Sequence, residues 1–196
     1  AAAYTDIIKR YNGGVFMASV FLSPSTQEYN QFVTGGTEEY YTNLIADAMV
    51  PYLRAAGIDF SRNNPNGTVI DSVNASNMGN YDFHLAIHTN AAPANLSGRI
   101  QGPDVYYYRD SPRSKAAAEI FANNLKLIYP QPELVTVVPT TSLVELRRTK
   151  APAVLVEVAY HDNVDDANWI TSNIEEIAEN LSLSLADVLG VPFVEI

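Results

Sequence analysis

The alternation of apolar and polar residues divides the chain into segments of strand character and segments of helical periodicity. Short apolar runs predict strands at Val15–Leu22, Ile58–Arg62, Phe83–Thr89, Val105–Tyr108, Leu134–Val138 and Ala153–Val158. Apolar residues at helical spacing predict helices at Thr5–Tyr11, Thr37–Ala56, Val69–Met78, Arg113–Ile128 and Val164–Val188. Because strands alternate with helices, we expect an α/β fold whose sheet is mostly parallel but mixed, with helices on both faces.

No linker, repeat or low-complexity segment interrupts this pattern. We therefore expect residues 1–196 to form one domain around a central twisted sheet of about six strands, with residues 1–13 as an N-terminal helical extension. Pro51 lies inside the second predicted helix. Since proline removes one backbone hydrogen bond and crowds the preceding turn, we expect it to kink or split that helix.

Composition narrows the possible functions. The chain has 47% hydrophobic and 17% charged residues, which is typical of a globular protein, and no apolar run approaches the roughly 20 residues that span a bilayer. A formal charge of −10 argues against nucleic acid as a partner. The absence of cysteine excludes disulfides, a thiolate nucleophile and a cysteine-ligated zinc site. The first ten residues lack the basic and then apolar order of a signal peptide.

Polar residues follow three of the predicted strands. They lie at Ser23–Glu28, His88–Asn90 and Glu157–Asn163. Ligands of open α/β sheets bind at the carboxyl ends of the strands, so these segments are the first places to look for a site.

The chain contains three histidines, of which His88 is the best candidate for chemistry. It lies at the end of an apolar strand next to a polar loop, which suits a metal ligand, an acid–base group or an ordinary surface histidine. His84 lies on the same face of the strand, but four residues of strand span about 13 Å, so both cannot bind one metal ion. We expect His84 to be a buried, hydrogen-bonded histidine.

Two acidic positions complete the candidates. Glu157 lies in an otherwise apolar strand, where a carboxylate is costly to bury unless it is paired or used, so it is the best candidate for a general base; a glutamate reaching solvent at the strand end is the alternative. Glu38 and Glu39 begin a helix after Thr37. The helix dipole and a threonine cap explain carboxylates at this place without any function.

In order and spacing, these segments resemble one family. The chain resembles the zinc-dependent N-acetylmuramoyl-L-alanine amidases, and the resemblance covers nearly all of it from Val15 onward. It is carried by four segments, which are Asp82–Ala91, Glu38–Ala46, Tyr108–Lys115 and Leu146–Glu157. The resemblance implies a zinc hydrolase that cleaves the amide bond between N-acetylmuramic acid and L-alanine of peptidoglycan, at a bacterial cell wall or outside the cell. It also implies that His88 and Glu38 bind zinc, that Glu157 is the catalytic base, and that Arg147 and Asn90 bind substrate.

The chain departs from the family at one ligand. Members of the family usually carry a zinc-binding histidine in a glycine-rich loop after the first strand, whereas the loop here reads Ser23–Asn30 and contains no histidine. The resemblance leaves Gln27, Thr26 and Glu28 as candidates for the third ligand, with Gln27 preferred by position. A neutral amide oxygen is a poorer zinc ligand than imidazole.

Two other functions remain open from the sequence. A non-catalytic peptidoglycan-binding relative would explain the missing loop histidine, but it would have no need of Glu38, His88 and Glu157 together. A metal-free glycosidase using Glu38 and Glu157 would need the two carboxyl groups about 5–9.5 Å apart.

Overall fold

The structure, a computed structural model, describes residues 17–196 and consists of one α/β domain. The predicted helix Thr5–Tyr11 and the start of the first predicted strand lie outside these residues. The strands are β1 (Ser19–Pro24), β2 (Asp59–Arg62), β3 (Phe83–Asn90), β4 (Asp104–Tyr108), β5 (Thr136–Thr140) and β6 (Ala153–Tyr160). The helices are α1 (Glu38–Ala55), α2 (Val69–Met78), α3 (Pro112–Ile128), α4 (Val144–Arg148), α5 (Val164–Ser172) and α6 (Ile174–Leu189).

The six strands form one mixed sheet in the order β2-β1-β3-β6-β4-β5. All neighbouring strands run parallel except β4 and β6, which are antiparallel. This confirms the predicted fold class. The carboxyl ends of β1, β3 and β6 therefore meet at one edge of the sheet, where the sequence places its candidate residues.

Alternation along the strands separates two apolar layers. Leu85, Ile87, Val154 and Val156 point into the larger core, to which α1, α3 and α6 contribute, and those helices pack against one another. Ala86, Ala153 and Leu155 point to the opposite face, where they pack with Leu146 of α4. His84 and His88 share this second face, because they lie two residues before and after Ala86.

The register between β3 and β6 shifts once. His88 is paired with Glu157, but the next pair is Asn90 with Tyr160, so β6 has one more residue than β3 over this stretch. Val158 and Ala159, which are consecutive, both pack in the larger core. This irregularity is a β-bulge, and it lies directly beyond the two residues predicted to carry chemistry.

Several predicted boundaries are corrected by the structure. The helix predicted at Val164–Val188 is two helices, because Asn173 leaves helical geometry between α5 and α6. The second predicted helix, which contains Pro51, is not split, since α1 continues through this residue. The run Leu134–Val138 begins in a short 3-10 turn, and its strand starts at Thr136. The five-residue helix α4 was not predicted at all.

Candidate active site

A cleft of about 550 Å³ opens at the carboxyl ends of the central strands. Hydroxyl side chains form much of its lining (Ser23, Ser25, Thr26, Thr68, Ser72 and Ser142). His88, Glu145, Glu157 and Tyr29 are its titratable groups, and within residues 17–196 no lysine or arginine lines it. The cleft thus combines an acid–base cluster with walls that recognise a ligand by neutral hydrogen bonds.

Helix α1 brings Glu38 to this cluster. Thr37 caps the helix by accepting the backbone N–H of Tyr40, and Glu38 follows in the first turn with 1% of its surface exposed. Its Oε1 lies 2.8 Å from Nδ1 of His88, and its Oε2 accepts a hydrogen bond of 2.5 Å from the amide of Asn30. Burial alone would raise the pKa of Glu38, but the contacts with His88 and Asn30 outweigh it and lower that pKa.

Of the two adjacent glutamates, Glu38 is the one that contacts His88. Glu39 lies in the same turn, but its Oε1 accepts from the amide of Asn43, a residue of the same helix. The two positions differ because successive residues of a helix point in directions about 100° apart.

Gln27 is the residue of the β1 loop that reaches His88. Its Nε2 lies 3.3 Å from Nδ1 of His88, and its Oε1 accepts a hydrogen bond of 2.9 Å from the hydroxyl of Tyr29. Of the other two candidates for the third ligand, Thr26 lines the cleft, and Glu28 is exposed. Gln27 and Glu38 thus both lie at the Nδ1 side of the His88 ring.

Glu157 lies beside His88, its register partner on β6. Its Oε2 is buried and has no hydrogen-bond partner among residues 17–196. Burial raises the pKa of Glu157 to about 7; the charges of Glu38 and Asp104 also raise it, and the charge of His88 lowers it. A carboxyl group that titrates near neutrality and has a free oxygen is suited to take up and release a proton.

The sequence did not single out Glu145, which belongs to the unpredicted helix α4 and is 3% exposed. Its Oε1 lies 2.9 Å from Nε2 of His84, and its Oε2 lies 3.6 Å from Nε2 of His88. Burial would raise the pKa of Glu145, but the two histidines outweigh it and lower that pKa far below the ordinary value. The available signal was a glutamate within the apolar stretch Leu143–Leu146, at a place with no predicted element.

His84 is fully buried, and both of its ring nitrogens have partners. Nδ1 lies 2.9 Å from the hydroxyl of Ser76, and Nε2 faces Glu145. His84 is therefore the buried, hydrogen-bonded histidine that was expected, with Glu145 between it and His88. Burial lowers the pKa of His88, but contacts with Glu145 and Glu38 and the charge of Glu157 outweigh it, so that pKa lies well above 6.5.

The two predicted substrate-binding residues lie at the margins of this arrangement. The amide of Asn90 donates to Asp104 over 3.3 Å, and its Oδ1 accepts the backbone N–H of Ala91. Arg147 is exposed on α4 and is not among the residues that line the cleft. Their contact with substrate stays a prediction.

Glu157 should make the stability of the metal-free protein depend on pH. A folded-state pKa of about 7, against 4.5 for an ordinary glutamate, means that its contribution is complete below pH 4.5 and is lost as the pH rises through 7. Glu157→Gln should therefore gain stability over the unmodified protein, by on the order of 2 kcal/mol more at pH 8 than at pH 5. Urea unfolding in a chelator measures both values, and a difference independent of pH would contradict the raised pKa.

The fold and the cleft define an α/β protein with a histidine–glutamate site at the carboxyl ends of parallel strands. A sequence profile described as N-acetylmuramoyl-L-alanine amidase matches residues 25–187. The chain belongs to the N-acetylmuramoyl-L-alanine amidase family. A comparison with curated proteins found no significant sequence match.

Solved amidase structures share the fold. The chain is similar to the N-acetylmuramoyl-L-alanine amidase AmiC2 of Nostoc punctiforme, with a TM-score of 0.80 and 18% identity over 90% of this chain and 99% of that one. It is also similar to the amidase Ami1 of Mycobacterium smegmatis, with a TM-score of 0.75 and 18% identity over 88% and 97% of the two chains. Against Cwp6 of Clostridium difficile the TM-score is 0.76 and the identity 21%, over 89% of this chain and 30% of that one. At these identities the likeness establishes the fold alone.

Proposed function

We propose that the protein is a zinc-dependent amidase that cleaves the bond between N-acetylmuramic acid and the L-alanine of the peptidoglycan stem peptide. The observation that carries the proposal is Glu157, which lines the cleft beside the pair of Glu38 and His88 and has a buried oxygen without a hydrogen-bond partner among residues 17–196. Family membership supports peptidoglycan as the substrate class. We propose that the protein acts at a bacterial cell wall or outside the cell. None of the helices in residues 17–196 is long and apolar enough to cross a membrane.

The residues around Nδ1 of His88 suit a cation. An unprotonated Nδ1 would turn its lone pair towards a carboxylate oxygen at 2.8 Å, so either a proton or a metal ion has to lie between the two atoms. In the metal-free protein Nδ1 carries a proton. A divalent metal ion that displaces the proton gains an imidazole nitrogen and a carboxylate oxygen, both good ligands of zinc.

The third ligand is the weak point of the site. Among residues 17–196, no three histidine, cysteine, aspartate or glutamate side chains are arranged to hold a metal ion. Rotation of the Gln27 amide by 180° would exchange its nitrogen and oxygen and direct Oε1 towards Nδ1 of His88, while Tyr29 could then accept from the amide nitrogen. These residues thus fit zinc with two strong ligands, His88 and Glu38, and one weak ligand, the amide oxygen of Gln27.

A zinc ion held by Glu38, His88 and Gln27 would supply Lewis acidity and lower the pKa of a reacting water molecule. The protein's own groups would do the rest. Glu157 takes the proton from the water that attacks the amide carbonyl and gives it to the leaving nitrogen of L-alanine. The hydroxyl groups of the cleft hold the peptide by hydrogen bonds between uncharged groups.

Digestion of purified peptidoglycan tests the reaction. We expect the zinc-loaded protein to release stem peptides with new amino termini at L-alanine and no new reducing sugar ends, and we expect a chelator to stop the release. Amine labelling followed by mass spectrometry measures the first product, and a reducing-end assay measures the second. New reducing ends without new amino termini would indicate a glycosidase.

Zinc affinity should distinguish Glu38 from its neighbour Glu39 as the ligand. Glu38→Gln removes a charged ligand, so the affinity for zinc should fall by more than the roughly 10–100-fold that loss of an outer partner of a ligand costs. Glu39→Gln removes the same charge one residue away and should bind zinc like the unmodified protein. Competition with a chromophoric chelator measures both affinities, and equal losses in the two variants would contradict the assignment.

The second candidate is a peptidoglycan-binding protein without catalysis. The observation that favours it is the absence of a third charged or imidazole ligand in the described part of the chain. Such a protein would bind soluble muropeptides without zinc and release no stem peptide.

A further inference from the structure

The side of His88 opposite Glu38 is occupied by a second carboxylate. Glu38 and Gln27 face Nδ1, whereas Oε2 of Glu145 faces Nε2 at 3.6 Å. A metal ion held through Nδ1 and Glu38 therefore cannot be bound by Glu145, because the imidazole ring lies between them. At 3.6 Å this is a charge contact longer than a normal hydrogen bond, and a shift of about 0.5 Å would let Oε2 accept the Nε2 N–H.

Glu145 is fixed in this place by contacts that the proposed reaction does not use. Its other oxygen lies 2.9 Å from Nε2 of His84, whose Nδ1 lies 2.9 Å from the hydroxyl of Ser76. An ionised carboxylate only accepts hydrogen bonds, so it selects histidines that carry a proton on Nε2. With that proton in place, Nδ1 of His84 accepts from Ser76, and the chain of donors and acceptors is consistent from end to end.

The burial of Ser76, His84 and Glu145 also requires an explanation. Ser76, His84 and Glu145 are each at most 4% exposed, and a buried carboxylate is costly unless it is paired. His84 alone could supply one partner, yet the second oxygen of Glu145 is directed to the imidazole that carries the proposed metal. Carboxylates in this position relative to a metal-bound histidine fix its tautomer and strengthen it as a ligand.

We propose that Glu145 is a positioning residue that holds the Nε2 proton of His88, so that Nδ1 is presented to the metal ion together with Glu38. The role rests on the proposed zinc site. It gives the chain a means of strengthening the one imidazole ligand of a site whose third ligand is a neutral amide. The buried pair of His84 and Ser76 holds the carboxylate beside His88.

Zinc affinity and the state of the ring test this role together. Glu145→Gln keeps the shape of the side chain but cannot accept from both histidines, so we expect its affinity for zinc to be 10–100-fold lower. Glu39→Gln is the matched control, since it removes one carboxylate charge from α1 without touching His88, and it should bind zinc normally. Melting of the zinc-free proteins shows whether each variant is folded.

Nitrogen-15 NMR of the histidine rings decides the question in the unmodified protein, even if Glu145→Gln does not fold. With zinc bound, we expect a proton on Nε2 of His88, a metal-perturbed Nδ1, and a downfield ring proton that moves upfield in Glu145→Gln. Zinc on Nε2, or an unchanged affinity in a folded Glu145→Gln, would overturn the role of Glu145 and leave the zinc site standing. An unmodified protein that binds no zinc would overturn the proposed function and this role with it.

Discussion

Glu157→Gln should lower the rate of stem-peptide release by about 10²–10⁴-fold, the usual contribution of a general acid–base group. The amide has the size of the carboxylate, so the cleft and the pair of Glu38 and His88 should persist. An amide cannot take a proton from water at neutral pH, and it cannot return one to the leaving nitrogen. The rate of amine release from purified peptidoglycan measures the loss, and the zinc content of the same sample should be unchanged.

The control for this variant is a carboxylate outside the site. Glu133 is exposed and does not line the cleft, so Glu133→Gln should release stem peptides at the rate of the unmodified protein. If Glu157→Gln retained zinc and cleaved at that rate as well, Glu157 would not be the base. The proton would then have to pass through another group of the cleft.

Asp166→Ala should have the largest effect on stability, lowering the free energy of unfolding by about 3 kcal/mol or more, because three buried donors lose their acceptor. Asp166 is 1% exposed, and it accepts three hydrogen bonds that join separate parts of the fold. The backbone N–H groups of Gly102 and Tyr160 donate to its Oδ2, each over 2.9 Å, and the hydroxyl of Tyr129 donates to its Oδ1 over 2.6 Å. Alanine leaves three donors unpaired, and each unpaired buried donor costs about 1–3 kcal/mol.

Asp166→Asn tests whether hydrogen bonding is the cause. The amide oxygen can accept from both backbone N–H groups, while the amide nitrogen donates to the hydroxyl oxygen of Tyr129. This variant should therefore lose much less stability than Asp166→Ala. Urea unfolding of the chelated proteins gives the free energies, and a loss below 1 kcal/mol in Asp166→Ala would show that the three bonds contribute little.

The sequence predicted the sheet and its site edge because both follow from local patterns. Apolar runs of strand length gave all six strands, and the position of His88 and Glu157 after such runs placed them at the carboxyl ends. The division of the last helical segment at Asn173 was not predicted, since apolar periodicity continues across it. The turn between α5 and α6 depends on packing that only the folded chain defines.

Glu145 shows the limit of this approach. A five-residue helix is too short to produce a periodic pattern. Its glutamate matters because it contacts two histidines that lie 61 and 57 residues away in the sequence. The separation of His84 from His88 along β3 was foreseen, but nothing local indicates that one carboxylate lies between them. Contacts of this kind depend on how α4 lies over the sheet.

The β-bulge between β3 and β6 has a consequence for the design of variants. Before the bulge, every second residue of β6 faces the cleft, as Leu155 and Glu157 do. Beyond the bulge, Tyr160 pairs with Asn90, and the hydroxyl of Tyr160 donates to Asp104. Deletion of Ala159 would remove one residue from the larger core and restore regular pairing, and it would leave Tyr160 two residues after Glu157 on the same face. A one-residue deletion at the bulge therefore keeps the cleft wall, whereas one in the regular part of β6 before Glu157 would turn that carboxylate away from the cleft.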